Sequence, residues 1–237
     1  MRVLLMVLVL ALAVLAMRWA MGDYRRWVAL GVGGLPHTPA GWLAMSALRL
    51  LKRDGIKAAH LKRHIQSNDD HHYLGQVMKR AGLRPLVPGC SVPQRQLTQT
   101  IALQHLAQLK SVFDAVVQAQ ADQVQYQQSF YEKHNEAITL CHPGCGHAYG
   151  LISHGEVAHI HPVDGSMHMI LSPSDAAKVI EAGWGELHGL AGFMNRLPVS
   201  YTFVYAPRDE QEIEMVRQLL DAAVAHMTER RQRMSLR

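Results

Sequence analysis

The chain has 237 residues, 49% of them apolar, and carries 24 Lys/Arg against 19 Asp/Glu for a formal net charge of +5. That is enough apolar chain to bury a real core, one main domain with appendages. Three cysteines, an odd number, exclude a disulfide framework, and with no Asn-x-Ser/Thr sequon present nothing asks for a secreted compartment.

In chain order, Val3 to Met17 is an uninterrupted apolar run, continued past Arg18 by Trp19, Ala20 and Met21. We read residues 1–21 as a transmembrane signal anchor, because no good small-x-small cleavage site precedes Gly22. Arg18, Arg25 and Arg26 outweigh Arg2, so the rest of the chain is expected on the cytosolic side. Residues 22–93 form a basic membrane-proximal region. Between Arg18 and Arg84 twelve Lys/Arg stand against four Asp/Glu (Asp23, Asp54, Asp69, Asp70). Next to an apolar anchor, and without interleaved aromatics, this excess points to anionic lipid rather than nucleic acid. Trp42 to Leu51 reads as a short amphipathic helix lying on that surface, and His71-His72 and Gly82 to Pro93 as loop.

Residues 94–237 hold the main domain. Gln94 to Phe130 is glutamine-rich and keeps Leu106, Leu109, Phe113, Val116 and Val117 at helical spacing, which predicts one long helix, with a strand near Ala137 to Leu140. Cys141-His142-Pro143-Gly144-Cys145-Gly146-His147 offers zinc-type donors, but four ligands from seven residues are cramped and the spacing is not that of a zinc knuckle.

Val157 to His161 and Ser166 to Leu171 are strand-like, and Asp164-Gly165 between them is a strong hairpin signal. A two-residue loop there would set His161 opposite His168 and leave His159 on the same face, so three imidazoles converge. Ser172-Pro173 with Asp175 starts a helix that Gly183 ends. Gly183-Trp184-Gly185-Glu186-Leu187-His188 reads as a turn offering an aromatic wall, a carboxylate and an imidazole. Tyr201 to Tyr205 is a buried strand that stops at Pro207. Arg208-Asp209-Glu210 then opens a last helix with Ile213, Val216, Leu219, Leu220, Ala223 and Met227 at core spacing. The order predicts an α+β fold: a mostly antiparallel sheet with a histidine-bearing β-hairpin, helices packed on one face, and an N-terminal transmembrane helix.

Glu-Val-Ala-His-Ile-His, Leu-Ser-Pro-x-Asp, Gly-Trp-Gly-Glu-x-His-x-Leu-Ala-Gly and Tyr-Ala-Pro-Arg-Asp-Glu-x-Glu, in this order, resemble the luciferase domain of the fungal luciferases. Asp23-Tyr24, Gly82-Leu83-Arg84-Pro85 and Gln94-Arg95-Gln96-x-Thr98-Gln99 extend the resemblance over most of the chain. It implies oxidation of a hydroxypyrone, 3-hydroxyhispidin, by O2 with loss of CO2 and emission of light, and no cofactor beyond O2 as co-substrate.

For such a reaction the candidate bases are His159, His161 and His168, since imidazole titrates nearest neutrality. Arg208 or His188 would stabilise a developing oxyanion. Trp184, Tyr201 and Tyr205 would form a flat slot for a planar substrate, with Glu156 and Glu186 as further contacts. Two other readings stay open: non-haem iron held by the three histidines with Glu156 or Glu186, and a ligand-binding relative that does not turn over.

Overall fold

The computed structural model describes residues 1–57, 61–65, 71–89 and 92–229; Asp69 and Asp70 of the basic region, and Cys90, lie outside them. The helices are α1 (Arg2–Val28), α2 (Pro39–Arg49), α3 (Lys62–Ile65), α4 (Leu103–Ala119), α5 (Tyr149–Ile152), α6 (Pro173–Glu181) and α7 (Glu210–Thr228). The strands are β1 (Val124–Gln128), β2 (Glu136–Leu140), β3 (Glu156–Ile160), β4 (Met167–Ile170), β5 (Gly185–Leu187) and β6 (Tyr201–Val204). They form one six-stranded antiparallel sheet in the order β1-β2-β3-β4-β6-β5, with the hairpin at its centre.

Because side chains alternate along a strand, the sheet has two distinct faces. Ala158, Met167, Met169 and Val204 point to one, where α7 lies across β3 and β4 and packs against α4. Leu109, Phe113 and Val116 of α4 and Val216, Leu219, Leu220 and Met227 of α7 are buried there, each such side chain contributing roughly 1.5–3 kcal/mol of apolar burial. Both long-range helix starts were set by local chemistry. Ser172 accepts from Asp175 N at 3.1 Å, and Asp209 accepts from Glu212 N at 2.9 Å, capping α6 and α7.

The other face carries a row of directly opposed residues: Ala137, His159, His168, Phe203 and Glu186. No helix covers it. The extended segment around Gln94–Gln96 and the turn at Ser129–Glu132 close over it, and all five named polar residues, Gln94, Arg95, Gln96, Ser129 and Glu132, are buried.

Three expectations are corrected. The long helix is only Leu103–Ala119; residues 94–102 lie outside it, with bends at 97–99, and Val124–Gln128, whose burial falls off along its length, is strand β1. The hairpin loop has four residues, not two: His161 N donates to Ser166 O (2.8 Å), and His159, not His161, stands opposite His168. A shift of two residues preserves the face, so the three imidazoles still converge. Helix α2 packs on α1 rather than lying free. Trp42 Nε1 donates to Asp23 Oδ2 (2.9 Å), and Trp27, Leu30 and Met45 form a small second core.

Helix α1 has 27 residues, with a mean hydropathy of 2.5 over its most apolar stretch and none of that stretch buried. By length and composition it can cross a bilayer, as a signal sequence can. Leu61 and Leu74 join the main core, so the chain before Gln94 is not a separate layer.

Candidate active site

His159 and His161 follow one another on the same side of β3 and its extension, and His168 faces them from β4. Their inner nitrogens form a nearly equilateral triangle: His159 Nε2 to His161 Nε2 is 3.1 Å, His161 Nε2 to His168 Nδ1 3.1 Å, and His168 Nδ1 to His159 Nε2 3.2 Å. All three side chains are buried. They are the one group among the described residues whose donor atoms converge closely enough to hold a metal ion.

Each outer nitrogen is held by a different neighbour. Glu156 Oε1 takes His159 Nδ1–H at 2.5 Å. In a regular strand, residues three apart face opposite sides, and this contact would be impossible. The register of β2 against β3 shifts so that Thr139 pairs with Glu156 and Val157 is left over, a bulge that turns the carboxylate onto the histidine face. The other oxygen of Glu156 accepts from Ser129 Oγ and Phe130 N at 2.9 and 2.7 Å. His161 Nδ1 meets Ser166 Oγ at 2.8 Å, and that hydroxyl donates to Asp164 Oδ1 at 2.8 Å. His168 Nε2 meets Gln94 Oε1 at 3.3 Å, while the amide nitrogen of Gln94 donates to Glu186 Oε1 at 2.8 Å. Burial, reinforced at His161 by the charge of Arg95 and at His168 by the neighbouring His159 and His188, pushes both well below the ordinary histidine value, so both are neutral at pH 7.

Beside the cluster opens a cavity of about 770 Å³, the size of a small-ligand site. Tyr131 and Tyr201 wall it, with ring centroids 4.9 Å apart, and Tyr201 lies flat on His168 at 4.7 Å and 8°. His188 also lines it, and Leu190 N donates to its Nδ1 at 3.1 Å. Burial pushes the phenol of Tyr201 well above its usual value, keeping it un-ionised.

The fold therefore brings His159, His161, His168, His188 and Tyr201 together, and separates the other candidates. Trp184 packs in the main core beneath Arg80, and its Nε1 donates to Met78 O at 2.7 Å; its flanking Gly185 belongs to β5, not to a turn at the site. Arg208 pairs with Glu212 and with Ala81 O at the start of α7. Glu156 and Glu186 stand behind the histidines as positioning groups. Tyr205 donates to Glu186 Oε2 at 3.2 Å and does not line the cavity; burial and Glu186 raise its phenol to about 12. Sequence reasoning missed Gln94, Arg95, Glu132, Asp164 and Ser166 as site residues. Gln94 and Arg95 sit in the Gln-Arg-Gln motif, which was the available signal.

Residues 154–223 match the luciferase domain, the span that contains the hairpin, β5, β6 and most of α7. The elements that build the site are thus the part of the chain that is similar to a luciferase domain. Over 229 residues, 91% of this chain and 84% of the other, it is 29% identical to a luciferase of Armillaria mellea; it is 28% identical to a luciferase of Neonothopanus nambi over 87% of this chain and 80% of that one, and 29% identical to one of Armillaria ostoyae over the same shares. No solved structure matches the chain. The protein is a relative of the fungal luciferases, as its motifs alone implied.

Proposed function

We propose that the protein is a luciferase-type oxygenase that oxidises a planar, enolisable substrate of the hydroxypyrone class, of which 3-hydroxyhispidin is the type, with O2, releasing CO2 and light. One observation carries this reading: a tyrosine-walled cavity of about 770 Å³ abuts a buried histidine cluster, in a chain similar to luciferases over 91% of its length.

A conjugated pyrone fits against the aromatic wall that Tyr131 and Tyr201 make together. The histidine cluster, which reaches the cavity wall at His168, supplies the base for an acidic enol proton. Electron-rich enolate then reduces O2. His188 lies at the cavity wall, where an imidazole can stabilise the oxygen on which negative charge develops. We place the domain on the cytosolic side of a membrane, anchored by α1, on the arginine asymmetry around the apolar run.

The test is light output and O2 uptake on adding 3-hydroxyhispidin to the detergent-solubilised full chain, with Tyr201→Phe and Tyr201→Ala alongside. Light and uptake are expected from the wild type, near-normal values from the phenylalanine variant, and a KM raised at least tenfold in the alanine variant, equivalent to about 1.4 kcal/mol of lost binding. Neither light nor uptake from the folded wild type would overturn the proposal.

A further inference from the structure

The hydrogen-bond pattern around the three histidines leaves a question of protons. Glu156, whose other oxygen already accepts from Ser129 and Phe130 N, acts as an acceptor, so His159 carries its hydrogen on Nδ1 and a lone pair on Nε2. The Ser166 hydroxyl spends its hydrogen on Asp164, so His161 Nδ1 must donate to it, and His161 Nε2 is a lone pair. Glu186 fixes the Gln94 amide with its nitrogen outward and its oxygen toward His168. His168 therefore donates through Nε2, and its Nδ1 is a lone pair. With all three rings neutral, three lone pairs face one another at 3.1–3.2 Å with no hydrogen among them. Buried and unshared, such an arrangement is repulsive. It becomes favourable when a cation fills the centre.

We propose that His159 Nε2, His161 Nε2 and His168 Nδ1 bind a divalent first-row transition-metal ion. An ion at the usual distance of about 2.0–2.1 Å from imidazole nitrogen would lie roughly 1 Å out of their plane and subtend N–metal–N angles near 100°, between tetrahedral and octahedral values. The outer partners are those metal-binding histidines need: a carboxylate, a hydroxyl backed by a carboxylate, and an amide oxygen, each fixing a tautomer and a ring orientation. Local charge agrees. Glu132, Glu156, Asp164 and Glu186 are buried around the cluster, against the Arg95 guanidinium, which Glu132 pairs at 2.5 Å. Glu132 Oε1 is 3.8 Å from His161 Nε2, the carboxylate placed to complete or modulate the ligand set. Glu132 and His168 both line the cavity, so an open coordination position would meet a bound substrate at its wall.

The assignment stands on side-chain geometry; only the use of the ion in turnover rests on the function proposed above, and there it replaces the cofactor-free expectation. Its chemistry would be to lower the pKa of an enol oxygen and to favour electron transfer to O2.

The detergent-solubilised full chain, stripped with chelator and dialysed, is titrated with Co2+ and followed by its visible absorption, then competed with Zn2+, with elemental analysis of the loaded protein. We expect one ion per chain, lost in His161→Ala and bound about 10–100-fold more weakly in Glu156→Gln, which keeps all three ligands. Because truncating a buried side chain can disturb folding, far-UV circular dichroism accompanies each variant, and Glu156→Gln decides if the alanine variant unfolds. A folded wild type that takes up neither Co2+ nor Zn2+ at micromolar concentrations would overturn the proposal. So would undiminished binding in a folded His161→Ala, which would move the ion to the Cys141 to His147 segment. Binding without light or O2 uptake would keep the site and overturn the luciferase reading.

Discussion

At the scale of single residues, burial without a partner sets one clear pH dependence. His226 on α7 is buried against Tyr73, His147 and Tyr149, and neither ring nitrogen makes a hydrogen bond among the described residues. Burial, then the charges of His147 and His71, pull it down to about 3. In the unfolded chain it titrates near 6.5. Between those values the unfolded state binds a proton that the folded state refuses. This part of the stability is therefore complete above pH 6.5 and drains away as pH falls toward 3, by up to about 1.4 kcal/mol per pH unit. His226→Leu should flatten that slope: urea midpoints measured at pH 7 and pH 5 should differ less in the variant than in the wild type. Equal differences would show that other groups dominate acid sensitivity.

At the scale of elements, the site depends on how the β3–β4 hairpin turns. Gly165 has φ of 75°, and a Cβ added there would lie 2.4 Å from Ile101 Cγ2. Strain and overlap together should cost Gly165→Ala on the order of 2 kcal/mol or more. Asp164 and Ser166 flank this glycine and hold His161, so activity with 3-hydroxyhispidin should fall further than the loss of stability explains; denaturation and turnover measured on the same sample separate the two.

The same element shows what the sequence could reveal. Three histidines on one face followed from strand alternation, which an even slip of register leaves intact. The bulge at Val157 did not, because it arises from pairing with β2 and only the folded sheet shows that Glu156 has changed sides. Partners from far along the chain were equally hidden: Gln94 and His168 are 74 residues apart, and Arg95 and Glu132 are 37 apart. Glycines around Trp184 suggested a loop at a ligand, whereas Gly185 is required where β5 crowds Phe203 O, which an added Cβ would approach to 2.3 Å. Capping was legible at Ser172 and Asp209 because it is local.

At the scale of the whole molecule, the apolar run of α1 makes few ties to the rest of the chain: none of its most apolar stretch is buried. Asp23 accepts from Trp42 and pairs with Arg49, and Trp27 and Met45 pack together, all beyond the apolar run. Deleting residues 2–21 should therefore leave the domain folded. We expect the full chain to sediment with membranes, resist extraction by high salt and yield to detergent, while the shortened chain stays in the supernatant with the same circular dichroism per domain residue. Release of the full chain by salt alone would reduce the attachment to surface charge.

The order β1-β2-β3-β4-β6-β5 places the histidines on the two innermost strands, while the cavity rim comes from turns at residues 130–133, 151–154 and 190–197. Replacement on β3 or β4 disturbs both neighbours and the α7 core at once, whereas replacement on the rim disturbs little beyond the rim. Two tolerances to replacement are therefore expected within one small domain. The proposed chemistry is tied to the part of the architecture that yields least, and the choice of molecule to the part that yields most.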